Sequence, residues 1–197
     1  MPMEVKAIFQ LFHVVAAVFM AAPLYALIIT GERARFPVPM NFNTDRYLEN
    51  LLKNQPLRCY VYLGTVLVTG LVLISTDGFD WSALVLNSSL VIKLVAFLLL
   101  VGLLSYVHFS IQPQIEKLMG PGNAGAPIPE AVRPRIAALR FRRRRLAAVC
   151  LFLVLTAVIM GLRVLSGYSI YLALVFIVLA ALFAWRTFKA IVPYGWI

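Results

Sequence analysis

The chain has 197 residues, of which 62% are hydrophobic and only 13% charged. Ordinary soluble domains are about 45–50% apolar, and so few charges cannot cover a water-facing surface. The net charge of +10 would suit nucleic acid, but the basic residues cluster in loops between apolar runs, which excludes that partner. The mean hydropathy of +0.89 agrees.

A bilayer core about 30 Å thick needs about 20 apolar residues in a helix. Five stretches meet or approach that length, at about 7–30, 59–75, 84–111, 146–165 and 170–185. The first is too long, and lacks the small-residue cleavage site, to be a secretory signal peptide. The second and fifth are short, and Tyr60, Tyr62, Trp81, Tyr168, Tyr171 and Trp185 extend them into the interfaces as aromatic anchors. Between the fourth and fifth, Gly161, Ser166 and Gly167 break the helix while Arg163 marks a water-facing turn, so a tight hairpin is expected. The expected fold is all-α: one integral membrane domain over 1–197, a polytopic bundle of five transmembrane helices.

Charge sets the expected orientation. The loops at 31–58 and 112–145 and the C-terminal tail hold fifteen basic residues, against Lys6 and Arg163 on the other side, with Lys93 inside a helix. The positive-inside rule then puts the N-terminus outside and both large loops and the C-terminus in the cytoplasm, as in a bacterial-type inner membrane. Cys59 and Cys150 fall at cytoplasmic helix ends, a reducing setting in which free thiols are expected. Within the first loop, residues 44–54 predict a short helix with Thr44 as cap. Its Leu48, Leu51 and Leu52 fall on one side, which would lie along the membrane surface. The stretch 120–129 reads as a flexible linker, followed by a basic amphipathic entry to the fourth helix.

The motifs of soluble catalysis (P-loop, GxGxxG, CxxC, HExxH, GxSxG) are missing, and no carboxylate falls within a predicted span. The reading therefore leans away from an enzyme. What remains is polar residues inside apolar helices. Lys6, Gln10 and His13 share one face of the first helix. A polar stripe in lipid turns towards protein, either as a hydrogen bond between helices or as a ligand to haem, copper or a quinone. Lys93 lies at a similar depth, so Gln10, His13 and Lys93 form a candidate ligand pocket. Alternatively, Lys93 snorkels to the headgroups or pairs with Asp77 or Asp80.

His108, near the far end of the third helix, is the other candidate metal or haem ligand; as an interface histidine it would need no ligand. The first and third helices run parallel, with His13 early and His108 late, so about 15 Å separates them along the membrane normal. One haem b cannot span both. The basic run Arg140, Arg142, Arg143, Arg144 and Arg145 reads as a topology anchor that would also contact anionic lipid headgroups or an acidic partner.

The segment Leu11-Phe12-His13-Val14-Val15-Ala16-Ala17, with Arg33 beyond it, resembles the first helix of CopD-like and related small multi-pass membrane proteins. Residues 109–115 (FSIQPQI) are similar to the proline-bearing helix end of some relatives. The resemblance covers about forty residues and lacks the usual tryptophan and glycine after the histidine, where Met20 and Ala22 stand. It implies copper import or haem binding for His13 alone.

Three functions follow as expectations. One is a non-catalytic subunit or assembly factor of a larger electron-transfer complex, partnered by other membrane subunits. The second is a haem- or copper-binding protein using His13 or His108. The third is a small transporter or lipid- or quinone-binding protein.

Overall fold

Inside a bilayer a backbone amide has no water to bond, so an apolar chain satisfies its polar groups within helices. The computed structural model describes residues 3–30, 42–76, 86–120 and 129–189, and among these helix is the only regular structure. Five helical stretches are long and apolar enough to cross a membrane, as in a multi-pass membrane protein. The elements are α1 (Met3–Thr30), the short α2 (Phe42–Lys53), α3 (Gln55–Thr76), α4 (Ser88–Tyr106), a π-turn (Val107–Ile111), the short α5 (Gln112–Met119), α6 (Arg133–Ser166) and α7 (Ile170–Lys189).

Local chemistry explains the boundaries. Asn87 caps α4, its side chain accepting the Ser89 N–H at 3.0 Å. Pro113 cannot donate, and its ring conflicts with the carbonyl four residues back. The chain widens into the π-turn just before it, where the Gln112 N–H reaches Val107 O, and helix then continues to Met119. Between α6 and α7, Gly167 adopts φ +66° and donates its N–H to Arg163 O at 2.9 Å. That left-handed cap suits glycine and produces the expected hairpin.

The longest helix, α6, packs against α1, α4 and α7, while α1 also packs along α3. Met20, Leu24 and Ile28 of α1 meet Leu63 of α3, Leu100 and Leu104 of α4, and Leu151 and Val154 of α6 in the main core. A second core of Val107, Ile111, Ile115, Met119 and Ile136 extends it along the π-turn and α5. On α7 the buried residues are Ala173, Ala180 and Ala184, and side chains this small let two helices approach closely.

The structure departs from sequence expectation in two places. First, the basic entry expected ahead of the fourth span is not a separate piece: α6 runs unbroken from Arg133, so the arginine run is helical and its side chains point in fixed directions. Second, α2 turns Asp45, Glu49 and Leu52 inward while Leu51 is 46% exposed. The buried face of α2 is thus acidic rather than leucine-rich, because two arginines of α6 lie against it. Most of the loop at 76–83 and most of the linker at 120–129 lie outside the described residues.

Candidate functional site

Two polar constellations occupy opposite ends of the bundle. In the first, α1, α3 and α4 converge on His13. Lys93 Nζ of α4 donates to His13 Nε2 at 2.7 Å, and His13 Nδ1 faces Thr69 Oγ1 of α3 at 2.9 Å. The Thr69 hydroxyl donates to Thr65 O at 2.6 Å, so its oxygen is left to accept. The histidine therefore carries its proton on Nδ1 and accepts at Nε2, and the chain of donors runs Lys93 to His13 to Thr69 to Thr65. Two glycines make room for it. A methyl group at Gly70 would sit 3.2 Å from His13 Cε1, and one at Gly161 of α6 would sit 3.4 Å from Lys93 Nζ. His13 and Lys93 are each only half-buried.

A second cation lies one turn away. Arg163 of α6 donates through Nη1 to Ser89 Oγ of α4, and through Nε to Tyr168 O at 3.3 Å. Ser89 is buried and stands one turn before Lys93. Among the described residues no carboxylate pairs with Lys93 or Arg163. Asp77 and Asp80 lie outside the described residues.

Of the three residues read as a pocket, the structure joins His13 and Lys93 directly. Gln10 is half-buried one turn before His13, and no hydrogen bond joins it to either. Thr69, Gly70, Gly161 and the Arg163–Ser89 pair complete the cluster. Its only sequence signal was the depth at which the glycines and polar residues fall on neighbouring spans.

His108 stands apart, in the π-turn. Its ring meets Tyr60 edge-on at 6.1 Å and Phe109 at 4.8 Å, and its Nδ1 is buried without a partner among the described residues. His13 lies by Thr69 and His108 by Tyr60, nine positions apart on α3, or about 13 Å at 1.5 Å per residue. The two histidines thus serve separate surroundings. Among the described residues no group of three or more His, Cys, Asp or Glu side chains converges as a metal site.

The second constellation binds α2 to α6. Arg140 donates through Nε to Glu49 Oε1 at 2.9 Å and through Nη1 to Asp45 Oδ1 at 2.6 Å. Arg143 holds Glu49 bidentately, at 2.6 and 3.0 Å, and also donates to Gln112 Oε1 at 2.7 Å. All five side chains are at most 5% exposed. Burial pushes the Glu49 carboxyl up, but the Arg143 and Arg140 guanidiniums outweigh it and hold it below the usual carboxylate range. Arg144 donates to Phe188 O at the end of α7 at 2.7 Å, and Arg142 lies over the Tyr106 ring.

Arg140, Arg143 and Arg144, expected from sequence at a lipid or partner contact, are buried and bonded within the protein. Only Arg142 and Arg145 of the run remain exposed. Sequence reasoning missed Asp45 and Glu49. Their signal was two carboxylates one turn apart in an otherwise basic loop.

Compared with protein-family models, curated proteins and solved structures, the chain matches nothing.

Proposed function

We propose that this is an inner-membrane binding protein, its C-terminus cytoplasmic by the positive-inside rule, that holds an amphiphilic molecule at the His13–Lys93 cluster. The observation that carries this reading is the 2.7 Å contact between Lys93 and His13, from helices far apart in the chain. Lys93 and Arg163 bring two cations and more donors than the described residues of the cluster have acceptors. A charge at membrane depth is costly, and such a residue points to a functional site by default. A carboxylate, phosphate or quinone oxygen on an apolar body would supply the missing acceptor. The apolar body would lie along the exposed helix faces beside it.

The test is purification of wild type, His13→Leu, Lys93→Leu and Lys6→Leu in mild detergent. Each sample is read by oxidised and reduced absorption spectra and by identification of co-purifying molecules. The expected result is an amphiphile retained by wild type and Lys6→Leu and lost from the other two. A Soret band lost with His13→Leu would identify haem as that amphiphile. Equal retention by all four proteins would refute the site. Stoichiometric partner proteins, indifferent to His13 and Lys93, would instead support a non-catalytic subunit of a larger complex.

A further inference from the structure

Beside the buried arginine clamp, α2 and α5 enclose an open cleft of about 450 Å³ lined by Arg46, Glu49, Asn50, Lys53, Glu116, Lys117, Met119 and Gly120. Cleft volumes of about 300–1,000 Å³ accommodate small molecules. The charge balance within it is decided by the clamp. Glu49 is held on both oxygens by Arg140 and Arg143, so its charge is already neutralised on the inward side. Among the described residues of the lining, Glu116 then remains as the carboxylate that faces Arg46, Lys53 and Lys117.

Glu116 in turn touches Lys53 at 3.7 Å, with both side chains substantially exposed at 41% and 59%. Such a pair is worth little and opens readily. Arg46 is pinned at the rim, its Nη1 donating to Gly120 O at 2.8 Å. Asn50 adds an exposed amide between Arg46 and Lys53.

We infer that this cleft binds a phosphate group. Three basic side chains and an amide on two short helices can supply charge-assisted donors to several phosphate oxygens at once. The cleft also lies at the arginine-rich end of the bundle, where α2 runs beside the start of span α3. Phosphate there is offered by anionic lipid headgroups as well as by soluble phosphate. The site is independent of the His13–Lys93 cluster, which lies far along α4 from it. It also relocates the lipid contact expected for the arginine run: the clamp arginines face inward, and the exposed Lys53 and Lys117 of the cleft are the cations that meet a headgroup.

The test uses the full-length protein, stripped of lipid in detergent, and follows its melting temperature against two probes, inorganic phosphate and dihexanoyl phosphatidylglycerol. Saturable stabilisation is expected. Lys53→Gln/Lys117→Gln should raise the half-saturating concentration at least about tenfold, and Arg142→Gln/Arg145→Gln should leave it unchanged. Asn50→Asp adds a like charge to the cleft with both lysines intact and should produce the same loss. Saturation by the lipid alone assigns the site to headgroups, whereas saturation by both probes assigns it to phosphate itself. No saturation by either probe, or equal weakening in both double variants, overturns the inference.

Discussion

At the scale of single residues, the His13 cluster has a direction, and that direction makes its variants unequal. Thr69→Val removes the acceptor of His13 Nδ1 while keeping the side-chain shape. It should cost about 1 kcal/mol, the usual net worth of such a bond, read as a lower melting temperature in detergent. The two glycines differ in sign. Ala in place of helical Gly ordinarily gains about 0.5–1 kcal/mol. At Gly161 the new methyl meets the flexible end of Lys93 at 3.4 Å, an ordinary contact, so Gly161→Ala should be neutral or stabilising. At Gly70 it would press on the histidine ring at 3.2 Å. Gly70→Ala should therefore lose that gain and shift the His13 ring resonances in an NMR spectrum.

His13 and Lys93 were legible as polar residues at matched depth in apolar helices. Thr69 was not, because a threonine bonded to its own helix looks the same in sequence whether or not a histidine leans on it.

At the scale of elements, α2 is held by ions rather than by leucines. Breaking a buried pair leaves a charge without its partner and costs about 3–5 kcal/mol. Arg143→Gln should therefore lower stability by roughly that much in chemical denaturation. Arg142→Gln, at an exposed position, should change it by no more than about 0.5 kcal/mol. The pH dependence has a definite sign. Glu49 is held below its ordinary 4.5 in the folded protein, so its contribution is complete above that value. It is lost as pH falls through the acid range below it. Acid titration of unfolding should show this loss in wild type and much less of it in Arg143→Gln.

The amphipathic leucines of α2 misled because periodicity reports that a face is apolar, not that it is the face the protein covers. Here two guanidiniums on α6 decided which side turned inward.

For the whole molecule, the five spans were legible because hydropathy and length constrain a bilayer-crossing helix more tightly than any soluble one. The short helix at 44–54 and the basic entry to the fourth span were also legible, but the unbroken run of α6 from Arg133 and the helix continuing past Pro113 to Met119 were not. Polar sequence carries no hydropathy signal, and the π-turn that passes the proline is a backbone adjustment with no residue signature of its own. The proposed orientation has a direct test. Green fluorescent protein fused after Ile197 should fluoresce, and alkaline phosphatase at the same place should be inactive. The opposite pair of results would invert the topology.

Both cysteines are buried and free and line one small void between α1, α3, α4 and α6. A membrane-impermeant maleimide should therefore label neither in the folded protein and both in sodium dodecyl sulfate.

The arginine run also carries a timetable. The acidic partners of Arg140 and Arg143 lie in α2, synthesised some ninety residues earlier (|i−j| 91 to 95), so they are waiting when α6 emerges. The acceptor of Arg144 is Phe188 O, 44 residues later. The same stretch of helix thus closes backwards onto finished chain and forwards onto chain still to be made. A chain released up to the start of α7 would be clamped at α2 but still unlatched at its last helix.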